Sequence, residues 1–277
     1  MDSWFIATYR LRPESCFRGL GYTLKASDFT FEFKSDLVWV VFNANTETWE
    51  RRRDEGLDIL RMFMSVLTLQ VEYPFEIEPI QWIEDNPTGA PDTRNYILGR
   101  LPPSEPRARA EPPTLTTEEV AKRAPAYLQI CAIEPYLRMA VLDYSLALKF
   151  TVEAIVFCAR SLEWIEIYFE TRDNLRRNLE LSKKYVTTFF RIANDTTIAR
   201  HANDLTKIRP PSIEEVRYCV YFTRIVLDRF AAYLWYKDSQ RLPTPWPQGD
   251  KEPAALFTSG NPRLNSSLRR LLSGELA

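Results

Sequence analysis

The segment Phe29-Thr-Phe-Glu-Phe33, followed three residues later by Leu37-Val-Trp-Val-Val-Phe42, decides the fold of the N-terminal part of this chain. Aromatic and β-branched residues dominate both runs, and the first run alternates apolar and polar side chains with the period of two of a half-buried strand. Similar runs occur at positions 4–11, 22–24 and 75–83. They predict an antiparallel sheet, with 75–83 as an edge strand because it contains Pro79.

Positions 46–69 change period. Trp49, Leu57, Leu60 and Met64 recur every three or four residues, while the charged residues of 50–55 point to the other side. This spacing predicts one amphipathic helix packed on the sheet. Residues 1–100 are therefore predicted to form an α+β domain.

Eight prolines fall between positions 84 and 125, and such a segment cannot propagate a helix or an interior strand. Residues 101–125 are predicted to be a Pro-rich linker. Thr116-Thr-Glu-Glu119 has the pattern of a helix start with early acidic residues, so the next domain is expected to begin near there. Residues 241–277 are predicted to be a Pro-rich tail with a short helix at 262–272.

Residues 126–240 have helical periodicity and few strand signals. The predicted helices are 136–169 with a break near Asp143, then 175–192, 194–208 and 212–236. Ser212-Ile-Glu-Glu215 has the pattern of a capping box at the start of the last one. The predicted fold class is thus α+β: an N-terminal antiparallel sheet with one packed helix, followed by an all-α bundle of four to five helices.

Composition excludes several functional classes. The chain has one histidine and four isolated cysteines, so it contains no common spacing of zinc ligands. Its eight glycines form no phosphate-binding Gly-rich motif. Neither a metal nor another cofactor is expected. The sequence has no apolar run long enough to span a membrane and no secretory leader pattern, and its cysteines are too sparse for a disulfide framework. A cytoplasmic protein without a membrane partner is expected.

The formal net charge of −1 gives no whole-chain attraction to nucleic acid. The charge is nevertheless uneven, because residues 171–209 contain nine basic and four acidic side chains. This local excess predicts a basic face on the helical domain.

Two segments of the helical part carry a recognisable pattern: Ala159-Arg-Ser-Leu-Glu163-Trp-Ile-Glu166, and, about thirty residues on, Ile192-Ala-Asn194-Asp-Thr-Thr-Ile-Ala-Arg200-His201. A long final helix follows. Over residues 126–240 this arrangement resembles the HEPN superfamily of helical bundles.

The resemblance implies a homodimer and, in active members, metal-independent RNA cleavage in toxin, antiphage and RNA-processing systems. His201 would move the 2′-hydroxyl proton and Arg200 would hold the phosphate charge, with Asn194 completing the catalytic set. Arg160, Glu163 and Arg191 are the accompanying binding residues. The dimer interface is predicted in 194–201 and 212–235, where Tyr218, Phe222 and Tyr233 suggest more aromatic surface than the bundle can bury.

Two functional hypotheses follow. In the first, the protein is a dimeric HEPN-like module that binds a nucleic acid or a protein partner without catalysis. In the second, it is a metal-independent HEPN endoribonuclease that uses His201 and Arg200. Arg200 directly precedes His201 here, whereas active members separate the two by several residues, and this spacing favours the first hypothesis.

Overall fold

A computed structural model describes residues 3–26, 28–44, 48–85, 92–94, 114–150, 153–195 and 209–236. The chain divides into two compact units, Met1–Leu128 and Gln129–Ala277. The predicted α+β class is confirmed: the first unit contains an antiparallel sheet with one helix packed on it and the first part of the helix Thr117–Ile133, and the described residues of the second unit are helical.

The sheet of the first unit has six antiparallel strands in the order β2-β3-β4-β1-β5-β6. The strands are β1 Ser3–Arg12, β2 Gly21–Ala26, β3 Phe29–Lys34, β4 Leu37–Ala44, β5 Glu76–Asp85 and β6 Asp92–Arg94. The alternation that predicted β3 is also its burial pattern, since Phe29, Phe31 and Phe33 are buried and Glu32 is exposed. The apolar face of these strands therefore forms one side of the core.

Helix α1, Trp49–Val71, covers that face. Phe63 of α1 is fully buried with its ring 5.0 Å from the ring of Phe33. Gly56 lies where helix and sheet approach closely, because a Cβ atom there would lie 2.9 Å from the Phe29 ring and 3.2 Å from Val40. The prediction of one helix packed on the sheet is confirmed.

The position of β5 differs from the edge predicted from Pro79. Strand β5 pairs with β1 along its length, whereas β6 pairs only with 82–84. Pro79 lies opposite Tyr9, next to a shift in the register between β1 and β5. Within the described residues, the other side of β5 at Pro79 faces no strand, so the missing N–H of proline is tolerated there.

Six helices follow in the described part of the chain: α2 Thr117–Ile133, α3 Pro135–Lys149, α4 Ala154–Tyr168, α5 Arg172–Asn178, α6 Lys183–Ala193 and α7 Ile213–Tyr236. The predicted helix 136–169 is two helices, and the predicted position of its break is wrong. Asp143 lies inside α3, and the chain leaves the helix after Lys149. The predicted helix 175–192 is likewise divided between α5 and α6.

The end of α6 corrects another boundary. Asn194 is the C-cap of α6, and its backbone N–H donates to the carbonyl of Phe190 at 3.0 Å. The helix predicted to begin at Asn194 therefore does not begin there, and positions 196–208 lie outside the described residues. The start of α7 is as predicted: the Ser212 N–H donates to Glu215 Oε2 at 2.7 Å, and the Glu215 N–H donates to Ser212 Oγ at 3.2 Å.

The expectation of surplus aromatic residues on α7 is wrong for two of its three residues. Tyr218 and Phe222 are buried within the chain. The Tyr218 hydroxyl donates to the Tyr185 carbonyl at 2.9 Å, and the Phe222 ring lies 5.3 Å from that of Phe189. These side chains complete the core between α6 and α7 and offer no surface to a partner.

The segment that begins α2 is tied to the first unit. The Leu115 N–H donates to the Cys16 carbonyl at 2.8 Å, and the Gly21 N–H donates to Thr117 Oγ1 at 3.1 Å. Of the predicted linker, positions 101–113 lie outside the described residues, but positions 117–125 belong to α2, so the prediction that this segment cannot form a helix is wrong there, and Pro125 lies inside the helix. All of the predicted tail, 241–277, lies outside the described residues and stays a prediction. No described helix is both long and apolar enough to cross a membrane.

Candidate nucleic-acid interface

The predicted site residues fall in three places. Arg160 and Glu163 lie on α4, whereas Arg191 and Asn194 lie at the C-terminal end of α6. Arg200 and His201, the predicted catalytic pair, fall in 196–208, outside the described residues.

Arg160 forms an ion pair with the buried carboxylate of Asp143, a residue that no sequence pattern marks as functional. Its Nη2 lies 3.1 Å from Oδ1 of Asp143, and its guanidinium carbon lies 5.6 Å from the centre of the Phe157 ring. The other carboxylate oxygen of Asp143 accepts from Trp164 Nε1 at 2.9 Å. Asp143, predicted to mark a helix break, instead connects α3 to α4.

Burial raises the pKa of Asp143, while the Trp164 hydrogen bond and the Arg160 charge act in the opposite direction. The net effect is that the pKa of Asp143 is raised. Arg160 itself is about half exposed, with a side-chain exposure of 46%. The pair therefore fixes one guanidinium at the surface in a defined orientation.

A second ionic group joins the residues on either side of positions 196–208. Arg209 Nη2 lies 2.9 Å from Asp195 Oδ2 and 2.6 Å from Glu215 Oε1, and Arg209 Nη1 donates to Glu215 Oε2 at 2.7 Å. These bonds hold Asp195, which directly follows the C-cap of α6, beside the start of α7.

The same bonds shift the pKa values of the group. Burial acts to raise the pKa of Glu215, but the hydrogen bonds from Arg209 and from the Ser212 N–H outweigh it, so the pKa is lowered. The hydrogen bond to Glu215 is the largest cause that raises the pKa of Arg209. Both groups are therefore charged near neutral pH.

The predicted basic face takes the form of a surface pocket of about 620 Å³ between α5 and α6. We call it the basic pocket. Its lining has four basic side chains, one acidic side chain and several neutral hydrogen-bonding groups: Thr171, Arg172, Asp173, Asn174, Arg176, Arg177, Lys183, Val186 and Thr187. The charges on the pocket wall thus favour an anion.

The four basic side chains of the basic pocket differ in the contacts they make within the chain. Arg172 stacks on Phe190, with its guanidinium carbon 3.4 Å from the ring centre, and it pairs with Glu166 at 3.3 Å. Arg176 Nε lies 3.6 Å from Asp173. Arg177 and Lys183 make no ion pair with any residue in the described part of the chain. These two are the cations best placed to meet a ligand.

The turn between α5 and α6, the two walls of the pocket, is held by hydrogen bonds from α7. Arg229 of α7 is buried, and its Nη1 donates to the carbonyl oxygens of Leu179 and Glu180 at 2.7 and 2.6 Å. Glu180 itself has a left-handed backbone, with φ of 50°. The buried guanidinium therefore fixes the turn, and with it the distance between the basic residues of α5 and those of α6.

The first turn of α6 is electrostatically unusual. It contains Lys183 and Lys184 and no acidic residue, and Ser182 makes no side-chain capping hydrogen bond. Positive side chains at a helix N-terminus oppose the helix dipole and cost stability. Their placement here adds to the positive potential of the basic pocket rather than to the stability of the helix.

The excess of basic residues in 171–209 is the sequence signal for this pocket. That signal does not say that residues of two helices meet, since their convergence depends on the turn held by Arg229. Among the described residues, no group of three or more His, Cys, Asp or Glu side chains is arranged to hold a metal ion.

Comparison with known proteins yields one relationship. A family model described as the C-terminal domain of a domain of unknown function, DUF8168, matches residues 123–235. This range includes the basic pocket and all of α3 to α6. No curated protein and no solved structure matches the chain.

Proposed function

We propose that the second unit is a HEPN-like module that binds RNA, with the phosphate backbone held in the basic pocket. The observation that carries this proposal is the meeting of Arg172, Arg176, Arg177 and Lys183 around one pocket with a single carboxylate, Asp173. Contacts from Lys and Arg to phosphates supply most of the affinity of proteins for nucleic acid. The choice of RNA rather than DNA rests on the HEPN resemblance.

The neutral groups of the pocket suit the same ligand. Thr171, Asn174 and Thr187 add hydroxyl and amide groups that can bond to phosphate and ribose oxygens. Because the Thr171 hydroxyl already accepts from the Asn174 N–H at 3.2 Å, its own proton is available for a phosphate oxygen. A mixed lining of this kind fits a sugar-phosphate unit better than a single carboxylate of an acidic protein.

The test is binding of a single-stranded RNA of mixed sequence to the full chain, measured by fluorescence anisotropy over a range of salt concentrations. The variant Arg177→Ala/Lys183→Ala is expected to bind about tenfold more weakly or worse. The slope of log affinity against log salt should fall by about 0.7 for each phosphate that the variant no longer neutralises.

The matched control is Arg138→Ala/Arg217→Ala. It removes the same charge from positions of the same unit outside the pocket, and it should bind like the wild type. Absence of RNA binding by the wild type would refute the proposal, and so would an equal loss of affinity in the control. Equally tight binding of polyglutamate at the same salt concentration would identify an acidic protein partner instead.

A second candidate function, metal-independent RNA cleavage, is favoured by one observation. Asp195 and Arg209, which flank the segment carrying Arg200 and His201, are ion-paired. Helix α6 separates Lys183 in the pocket from Asn194, next to that segment, by about 16 Å. An RNA strand held in the pocket and following α6 would thus reach the C-terminal end of α6. By the HEPN resemblance, His201 would serve as proton acceptor, with Arg200 as phosphate clamp.

Cleavage is tested with total cellular RNA in the presence of a chelator. If His201 is the general base, His201→Ala should lower the rate by about 100-fold or more, and Arg200→Ala should lower both the rate and RNA affinity. Equal activity of wild type and His201→Ala would assign the cleavage to a contaminant. The binding function would then stand alone.

The proposal includes a homodimer in a reducing cytosol. The compartment is supported by the four cysteines, all of which are buried free thiols. A role in defence or toxin systems follows from the HEPN resemblance alone.

A further inference from the structure

The outward face of α4 has an unusual order of side chains. Val156, Arg160, Glu163 and Ile167 are spaced by four, three and four residues, so they share one face of the helix. None of them is buried, and Ile167 is 54% exposed. The opposite face of α4 packs in the core through residues that include Ile155, Leu162 and Ile165. The exposed stripe therefore has apolar residues at its ends and opposite charges at its centre.

This order is self-complementary. Val156 and Ile167 are equally distant from a midpoint between positions 161 and 162, and so are Arg160 and Glu163. When two copies of a helix cross antiparallel about a two-fold axis, a residue before the midpoint faces the residue at the same distance after it in the other copy. An apolar residue would then face an apolar one, and each arginine would face a glutamate.

We infer that the stripe is the interface with a second copy of this chain, with α4 antiparallel to α4 of the partner subunit. Val156 packs against the partner's Ile167, and Arg160 faces the partner's Glu163. A partner of another kind would place no symmetry requirement on the stripe. The matched order of apolar and charged positions is what a self-pairing helix needs.

The surroundings of the stripe suit such an interface. Arg160 is already oriented by Asp143 at 3.1 Å, so little side-chain freedom is lost on association. A guanidinium has five donors, so Arg160 can keep Asp143 and also bind the partner's carboxylate. Phe157 and Trp164 flank the stripe and are only half-buried, and aromatic and arginine side chains are enriched at the centres of interfaces.

This surface on α4 differs from the dimer interface that the sequence predicted to include α7, because Tyr218 and Phe222 of α7 are buried within the chain. The inference rests on the homodimer of the proposed function and names its interface, and it uses none of the residues that line the basic pocket. Loss of one activity would leave the other measurable.

The test is sedimentation velocity of the full chain over a concentration series. The wild type is expected to dimerise. Ile167→Glu should weaken the dimer by about 100-fold or more, since it places two unpaired carboxylates against apolar side chains in each dimer. The matched control is Ile213→Glu, because Ile213 is 55% exposed, lies in the same unit and is outside the stripe; it should dimerise like the wild type.

A second pair of variants tests the charges. Glu163→Arg should weaken the dimer because it faces the partner's Arg160, whereas Glu170→Arg, at an exposed position outside the stripe, should not. Circular dichroism confirms that each variant is folded, and RNA binding should be unaffected in Ile167→Glu and Ile213→Glu. A wild type that remains monomeric at high concentration overturns the inference. Equal dimer stability in Ile167→Glu and Ile213→Glu does the same.

Discussion

Asp143 is a buried carboxyl group that links two helices. Its two oxygens face Arg160 and Trp164, both from α4, while the residue itself belongs to α3. Burial raises its pKa, so the protonated form is favoured in the folded protein relative to the unfolded chain. An acid with a raised folded-state pKa adds stability at low pH, and that contribution is lost as pH rises through the folded-state pKa.

Asp143→Asn should therefore change stability in a pH-dependent way. At pH 7 we expect the variant to lie within about 1 kcal/mol of the wild type, because Asn still accepts from Trp164 and the Arg160 side chain left without its carboxylate is half exposed to water. As pH falls towards about 3, the free energy of unfolding of the wild type should rise relative to that of the variant. Urea unfolding at several pH values measures this difference.

Glu170→Gln is the control for that series, since Glu170 is an exposed carboxylate in the same unit. Its free energy of unfolding should follow the wild type throughout. A difference between wild type and Asp143→Asn that grows in favour of the wild type as pH rises would contradict the expected direction of the Asp143 pKa shift.

At the scale of elements, the contact of α1 with the sheet depends on the absence of a side chain at Gly56. Alanine is favoured over glycine inside a helix by about 1 kcal/mol. A Cβ at this position, however, would lie 2.9 Å from the Phe29 ring. Overpacking of a core costs about 1–3 kcal/mol, so the packing cost should exceed the gain in helix propensity.

Gly56→Ala is accordingly expected to destabilise the first unit by about 1 kcal/mol. Thermal unfolding followed by circular dichroism measures the change. Asp58→Ala is the control, because Asp58 is in the same helix but its side chain is 73% exposed, and this variant should be neutral or slightly stabilising. Stabilisation by Gly56→Ala would mean that α1 can move away from the sheet at little cost.

At the scale of the whole molecule, both units bury their cysteines. Cys16, Cys131, Cys158 and Cys219 are all buried and unpaired. Burial raises the pKa of Cys16 to about 11 and the pKa values of Cys131 and Cys158 to about 12. The thiolate is the reactive form, so these thiols should be inert in the folded protein.

The native chain should therefore show almost no reaction with Ellman's reagent at neutral pH, whereas the chain unfolded in guanidinium should show all four thiols. Reductant should leave the melting temperature unchanged. Rapid labelling of a thiol in the native protein would reveal local opening of the element that buries it.

The sequence by itself determined the elements whose signals are local. The alternation in β3, the helical period of α1 and the Ser212–Glu215 capping box each depend on residues a few positions apart, and all three are present in the structure. The unequal charge of 171–209 likewise indicated that this part of the chain would carry a basic face.

Only the tertiary structure decided which charged groups meet. Asp143 belongs inside a helix because Arg160 and Trp164, some twenty residues away, satisfy its carboxylate, and no local pattern records that pairing. The basic pocket exists because buried Arg229 of α7 fixes the turn between α5 and α6. Local signals specify backbone conformation, but burial and charge pairing depend on partners distant in sequence, and these partners determine where the candidate site lies.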